Sequence, residues 1–192
     1  MTSYLLSAPA LEPVTLAQTK EFLRIDEAHE DDFINSLIAA ARIHVESITA
    51  RALISQSWRV VRDCWPSDRI VNLPVAPLLS LSAITTYDDD GNVTALPLAQ
   101  FLPETNITPA RIFLPKSISG QVIMRERAAI EIDYVAGFGA SPNDVPNTLK
   151  QAIFTLIAYW FEHRDAVIIA GSGAIVPAGF DALISPYKSV KL

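Results

Sequence analysis

An α+β fold is what this sequence predicts: a mainly helical domain, built from an N-terminal helix pair and a long C-terminal helix, with a small antiparallel β lobe inserted into it. Three observations lead there. Residues 145–165, VPNTLKQAIFTLIAYWFEHRD, form the most apolar and most clearly periodic stretch of the chain. Residues 31–51 hold a second helical pattern with an acidic start. Between the two, short alternating runs are broken by Pro and turn residues, which is how strands read rather than helices. The expected division is an extended arm at 1–14, a helical core at 15–53 together with 143–165, a β-rich insert at 54–136, and a flexible loop and docking tail at 166–192.

Pro9 and Pro13 keep residues 1–14 out of helix. Thr15-Leu16-Ala17-Gln18 has the form of a capping box, in which the Thr and Gln side chains each satisfy a backbone N–H, and it opens a short helix to about Arg24. Glu30, Asp31 and Asp32 then place negative charge where a helix macrodipole favours it. The helix they open carries Phe33, Ile34, Leu37, Ile38, Ala41, Val45 and Ile48 on one face. Asn35, Ser36, Arg42 and Glu46 occupy the other, and the helix ends near Arg51. The pattern changes at about Ile54. Strands are expected at 57–65, 70–73, 81–87, 93–98, 111–114, 121–125 and 129–135, the last alternating Ile130, Ile132 and Tyr134 against Glu131 and Asp133. Asp88-Asp89-Asp90-Gly91-Asn92 is the clearest hairpin turn, since Asp, Gly and Asn tolerate the positive φ that a tight turn needs.

In the closing helix, Leu149, Ala152, Ile153, Leu156, Ile157 and Trp160 line one face. Asp144 is placed to cap its first turn, and Pro146 stands where a missing N–H costs nothing. Phe154, Tyr159 and Phe161 point away from that face. A helix of a small domain needs one apolar stripe; two imply burial on both sides, the second covered by this chain or by another copy of it. Those three aromatics are therefore candidates for packing between copies. Residues 168–178, with Gly171, Gly173 and Pro177, read as a flexible loop. The tail offers Phe180, Leu183, Ile184 and Tyr187 ahead of a basic end at Lys188 and Lys191. A short helix or turn is expected there, docked on its own fold or on another.

Composition narrows the function. With 192 residues, 50% of them hydrophobic and 19% charged, the chain can build a well-formed core. Its net charge of −6 argues against gripping nucleic acid over its whole surface, because such binding rests on Lys and Arg neutralising phosphates. It allows a protein that lets DNA pass without holding it. Cys64 is the one cysteine, so there is no disulfide framework and no Cys-based zinc site, and an intracellular setting is the default. MTSYLLSAPALEP lacks the basic start and apolar core of a signal peptide. The longest apolar run, around residues 152–161, is too short to cross a bilayer, so no membrane partner is expected.

The fragments that suggest chemistry fail on spacing. Gly137-Phe138-Gly139 sits between a strand and a helix as a dinucleotide site would, but the third glycine is missing and no βαβ pattern surrounds it. Those glycines let the chain turn from strand into helix. Aligning Gly91 with the glycine of a calcium loop puts Pro97 at the bidentate Glu position, which breaks the ligand set. His29, His44 and His163 have no paired metal-ligand spacing. His163 beside Glu162, Arg164 and Asp165 reads as the solvated end of an apolar helix. No serine lies in a Gly-x-Ser-x-Gly turn, and Cys64 has no family signature around it. The arginines at 42, 51, 59, 62, 69, 111, 125 and 127 alternate with acids as a mixed solvated surface does. No catalytic residue, cofactor or metal is expected.

Three segments in order carry a resemblance. LAQTKEFLRID followed by EDDFINSLIAAARIHVESITARALISQSW resembles the opening of the head–tail connector (adaptor) proteins of tailed bacteriophages. YVAGFGASPNDVPNTLKQAIFTLIAYWFEHRDAV is similar to the closing helix of that family, and VPAGFDALISPYKSVKL to its tail. Together they cover roughly 100 residues at the two ends, and the branch with a β-rich insert fits best. The resemblance implies a connector domain whose copies form a ring, dodecameric in the family, beneath the portal protein. The ring joins the portal to the tail or to a stopper protein, DNA runs through its lumen without specific binding, and it catalyses nothing. The setting implied is the neck of a phage, prophage or gene-transfer particle, with the chain made in the bacterial cytoplasm. On that resemblance the closing helix and tail face the portal, with Phe180, Leu183, Tyr187, Lys188, Lys191 and Leu192 as contacts. Two other readings stay open. A stopper or tail-completion protein would map its ring contacts to the β insert, and a small-molecule enzyme would depend on His163 and Glu162.

Overall fold

The structure is a computed structural model that describes residues 1–118, 124–163 and 176–188. The chain divides into two compact units, one made of Met1–Ala10 with Ser55–Phe138 and the other of Leu11–Ile54 with Gly139–Leu192.

The first unit is sheet. Its strands are Thr2–Ser7 (β1), Gln56–Arg62 (β2), Ile70–Leu73 (β3), Leu78–Tyr87 (β4), Val93–Ala95 (β5), Leu102–Glu104 (β6), Ala110–Phe113 (β7) and Ile130–Ala136 (β8). Five form an antiparallel sheet in the order β1-β2-β8-β4-β5, and three form a second in the order β3-β7-β6. β8 lies between β2 and β4, and its alternation sets the sheet's two faces. Ile132 stands opposite Val60 on one side and Ile84 on the other, all three buried, while Glu131 and Asp133 turn to the opposite face. Val71, Leu73, Ala110 and Ile112 are the buried residues of the three-stranded sheet. The acidic turn closes the β4–β5 hairpin as expected. Gly91 takes φ 82°, and its N–H donates to the Asp88 carbonyl at 3.0 Å. The Asp88 carboxylate accepts from the side-chain and backbone amides of Asn92, at 2.9 and 2.8 Å, and these bonds hold its pKa below the usual carboxylate range.

The second unit is helical, with Leu16–Leu23 (α1), Asp31–Thr49 (α2), Asn147–Glu162 (α3) and Phe180–Ile184 (α4). Both bonds of the Thr15–Gln18 capping box are present. α1 stops at Arg24 and α2 at Ala50, each in a left-handed conformation that satisfies a terminal carbonyl. α3 buries Leu149, Ala152, Ile153, Leu156, Ile157 and Trp160, the stripe read from the sequence, and it packs on α2 and α4. Each of those Leu and Ile side chains is worth roughly 1.5–3 kcal/mol on burial, which makes α3 the main apolar support of this unit.

Several expectations need correction. The fold is a β-rich α+β fold, not a mainly helical domain with a small lobe: the described residues hold eight strands in two antiparallel sheets beside four α-helices. β1 and β6 are strands that the sequence pattern does not predict. β1 has almost no buried side chain and so no alternation to read, and β6 is three residues with a proline in the middle. β4 begins three residues earlier than expected, and β5 gives way to a short 3-10 turn, Leu98–Gln100. Of the strand expected at 121–125, residues 121–123 lie outside the described residues, and Met124 and Arg125 are not in a strand. The apolar stripe of α2 runs to Thr49 rather than Ile48, which is 36% exposed. A 3.6-residue period carries the face past position 48, and the Thr49 hydroxyl is satisfied by donating to the Val45 carbonyl at 2.7 Å. Asp144 does not cap α3. It forms a capping box with Ser141 around the 3-10 turn Pro142–Asp144, and Pro146 stands at the N-cap of α3 with no side-chain cap bond.

Candidate assembly surfaces

The second side of α3 is partly covered by its own chain. Phe154 stacks on Phe22 of α1 with ring centroids 5.0 Å apart, and Phe161 lies 5.9 Å from Phe33 of α2. Tyr159 stacks on His163 at 4.4 Å. All three α3 aromatics stay half-buried, and Phe22 is 43% exposed. An open groove of about 350 Å³ runs along Gln18, Glu21, Phe22 and Phe154. A second, of about 460 Å³, is lined by Phe161 and by Arg24, Ile25, Asp26, Glu27, His29 and Glu30. Aromatic floors with an acidic rim, open to solvent, suit another protein surface better than a small ligand, which wants an enclosed cavity.

The tail is seated by its own unit. Phe180 is fully buried beside His44, whose ring lies 5.8 Å from it and edge-on to Trp160 at 5.7 Å. Burial among these rings pushes the His44 pKa down, and its Nε2 has no hydrogen-bond partner. Tyr187 is held at three points. Its hydroxyl is 2.9 Å from Thr148 Oγ1, its carbonyl accepts from Arg51 Nε at 3.0 Å, and the Arg51 guanidinium lies 5.8 Å from its ring centroid. Lys188 pairs with Asp181 at 2.8 Å on the surface. Among the expected docking residues, then, Phe180 faces inward, Leu183 and Tyr187 are half-buried, and Lys188 is exposed. Lys191 and Leu192 lie outside the described residues, as do Gly171, Gly173, Arg164 and Asp165.

A charge network that the sequence left unread crosses the outer face of the five-stranded sheet. Arg59 of β2 grips Asp133 of β8 through Nε and Nη2, at 2.6 and 2.7 Å, and reaches Glu131 at 2.7 Å. The hydrogen bonds that Arg59 donates to Asp133 are the largest cause raising the Arg59 pKa. Glu131 also accepts from the Tyr87 hydroxyl at 3.0 Å, and the Arg125 guanidinium sits 4.1 Å over the Tyr87 ring. The alternation of Glu131 and Asp133 marked a wet face, but nothing local pointed to Arg59.

The residues that suggested chemistry have structural work. Gly139 leaves room for the capping box: a Cβ there would stand 2.1 Å from Asp144 Oδ2. Gly137 takes φ 148°, which suits glycine. His163 Nδ1 is 3.0 Å from the Tyr159 carbonyl at the end of α3. Among the described residues, no group of three or more His, Cys, Asp or Glu is placed to hold a metal ion, and no helix is long and apolar enough to cross a membrane.

Comparison with known proteins gives this arrangement its context. The family model described as head completion protein matches residues 12–174, which take in α1, α2, α3 and most of the sheet unit. The chain belongs to the head completion protein family. Three solved structures resemble this family member over its full length, each at 28% sequence identity and each covering 100% of this chain and 97% of the other. One is a chain of the neck of an empty gene transfer agent particle computed with C6 symmetry, with a TM-score of 0.81. The second comes from the virion of a native gene transfer agent particle, at 0.79, and the third from the neck of a native particle computed with C12 symmetry, at 0.74. No curated protein sequence matches the chain.

Proposed function

We propose that this chain is a structural protein of the head–tail neck of a phage or phage-like particle, where its copies form a ring that joins the DNA-filled head to the tail and lets DNA pass. The observation that carries this reading is full-length likeness, at a TM-score of 0.81, to a chain from a gene transfer agent neck. Membership of the head completion family supports it, and the C6 and C12 symmetry of the related necks supports a ring. Within the neck we assign the chain the adaptor position, twelve copies beneath the portal protein with the tail or a stopper protein on the far side. It does no chemistry and needs no cofactor, as befits a family and neighbours that are particle components. A net charge of −6 suits a ring that conducts DNA without trapping it.

Leu183, Tyr187 and Lys188, each at least partly exposed, meet the portal, and the family resemblance adds Lys191 and Leu192, while Phe180 anchors α4 from within so that this surface is presented. Phe154, Tyr159 and Phe161 contribute to packing between copies. Electron microscopy of the chain co-expressed with the portal protein of its own particle tests the assignment. A second ring stacked under the portal is expected, and Leu183→Asp with Lys188→Glu should remove it while circular dichroism stays unchanged. Deleting the whole tail is a poorer test, because it would also strip Phe180 and Ile184 from the core. A bare portal with monomeric chain beside it at micromolar concentration would overturn the assignment.

A further inference from the structure

The five-stranded sheet ends in two edges beyond which no strand lies among the described residues: β1 outside β2, and β5 outside β4. Exposed edges are usually blunted by shortness, a bulge, Lys, Pro or inward-pointing charge, which discourage pairing with another chain. β5 is short, at three residues, but neither strand carries a charge or a proline. β1 reads TSYLLS and β5 reads VTA, and the one irregularity is a register shift between Leu5 and Ser7. Tyr4, Leu5 and Leu6 are 43%, 41% and 45% exposed, and Val93 is 63% exposed. The hydrogen bonds of β5 show which backbone groups are free. Leu96 N–H donates to the Ile84 carbonyl at 2.8 Å, Asp88 N–H donates to that of Asn92 at 3.2 Å, and Thr94 stands opposite Thr86. Alternation along an antiparallel ladder then turns the N–H and C=O of Thr94 inward to β4, and those of Val93 and Ala95 outward.

We propose that β5 of one copy pairs with β1 of the next, so that the sheets of neighbouring subunits join edge to edge. The inference rests on the ring reading above and names the seam that such a ring would use. A second copy is the occupant because one sheet offers two different edges, unpaired among the described residues, both without charged side chains and partly apolar. Contact between unlike edges repeats around a ring, whereas β1 on β1 closes a dimer and stops. The direction of the seam follows from parity. Every pairing within the sheet is antiparallel and the sheet has five strands, so β1 and β5 run the same way. A sheet continued from copy to copy by one repeated rotation keeps that direction, so the seam is parallel. Main-chain bonds give such a seam its affinity, and the alternate side chains Tyr4, Leu6, Val93 and Ala95 set its fit.

Cysteine cross-linking in assembled necks tests this. In a Cys64→Ser background, Leu5→Cys and Thr94→Cys are introduced singly and together, and purified particles are treated with a short flexible bismaleimide before denaturing electrophoresis. The double variant should give a ladder of covalent multimers and each single variant only monomer. Ala95→Pro, which removes an outward N–H but no bond to β4, should abolish the ladder while leaving the free chain folded. A double variant that stays monomeric in necks containing the chain would overturn the seam and leave the neck assignment standing. Dimers from either single variant would overturn it in favour of like-edge pairing, and adducts with a different neck protein would overturn it in favour of a foreign strand. Particles whose necks lack the chain would overturn the neck assignment, and the seam with it.

Discussion

Acid should loosen the seat of the C-terminal helix through one residue, His44. Its ring is enclosed by Trp160 and Phe180, its Nε2 is buried without an acceptor, and burial holds its pKa below the ordinary histidine value. The sign follows from linkage. Below pH about 6.5 the unfolded chain takes up a proton that the folded site resists, so stability is full above that pH and is lost as pH falls towards the depressed folded value. If the folded site refused the proton entirely, moving from pH 7.5 to 5.5 would cost about 1.4 kcal/mol, from the difference in RT ln(1 + 10^(6.5 − pH)) between the two. Partial protonation of the native state makes the expected loss smaller than that upper bound, with its sign unchanged. Urea unfolding followed by Trp160 fluorescence measures it, in a Trp58→Phe, Trp65→Phe background that leaves one of the three tryptophans. His44→Leu, which keeps the site apolar and removes the titration, supplies the reference. Wild-type stability should fall relative to His44→Leu across this window. Parallel pH profiles for the two proteins would refute the argument, because they would mean that the ring protonates equally well in the folded and unfolded states.

Three further outcomes follow from packing and charge. Gly139→Ala should destabilise the protein by roughly 2–4 kcal/mol, combining a forced shift with loss of the Ser141–Asp144 cap. Adding Asp144→Ala should recover part of that loss in a chemical denaturation series, since the carboxylate is what the new Cβ meets. Tyr187→Phe removes the hydroxyl 2.9 Å from Thr148 and should cost about 0.5–1.5 kcal/mol, read as a lowered unfolding midpoint. Arg59→Leu leaves Glu131 and Asp133 facing each other on one strand and should cost about 1–3 kcal/mol, less than a fully buried pair because the network is partly exposed. Arg59→Lys should fall between, since an ammonium cannot grip Asp133 through two nitrogens. Equal midpoints for Lys and Arg at position 59 would argue against a geometric role for the fork.

What the sequence made legible was whatever its neighbours in the chain decide. The Thr15–Gln18 box, the Asp88–Asn92 turn and the buried stripe of α3 each depend on residues within one or two turns, and each is present. The losses are where a distant partner decides. β1 has no buried face, so its strand character comes from pairing with β2 some fifty residues on and leaves no period to read. Arg59 looked like one of many scattered arginines because Asp133 lies 74 residues away. Phe180 looked available to a partner because a sequence shows an aromatic in a basic tail but not the His44 ring, 136 residues earlier, against which it is buried. Ile48 and Thr49 show the finer failure, where a rule that puts apolar residues inside loses to helical phase once a hydroxyl can bond back to the preceding turn.

The same distinction bears on where copies would meet. An apolar helix face can be relieved from within its own chain, and here it partly is: Phe22 and Phe33 cover much of what Phe154 and Phe161 would otherwise show to solvent. A free sheet edge has no such remedy in side chains, because its unpaired groups are main-chain N–H and C=O set at a fixed spacing, and only water or another strand matches them. A particle component held for long periods against neighbours of its own kind can use that demand. The edges of β1 and β5 therefore weigh more heavily as contact surfaces than the aromatic side of α3. Weakening the aromatic side, by Phe22→Ser for instance, should slow assembly without preventing it, whereas Ala95→Pro should prevent it. Ring formation that survives Ala95→Pro but fails with Phe22→Ser, by electron microscopy of the two variants with the portal protein, would reverse that order.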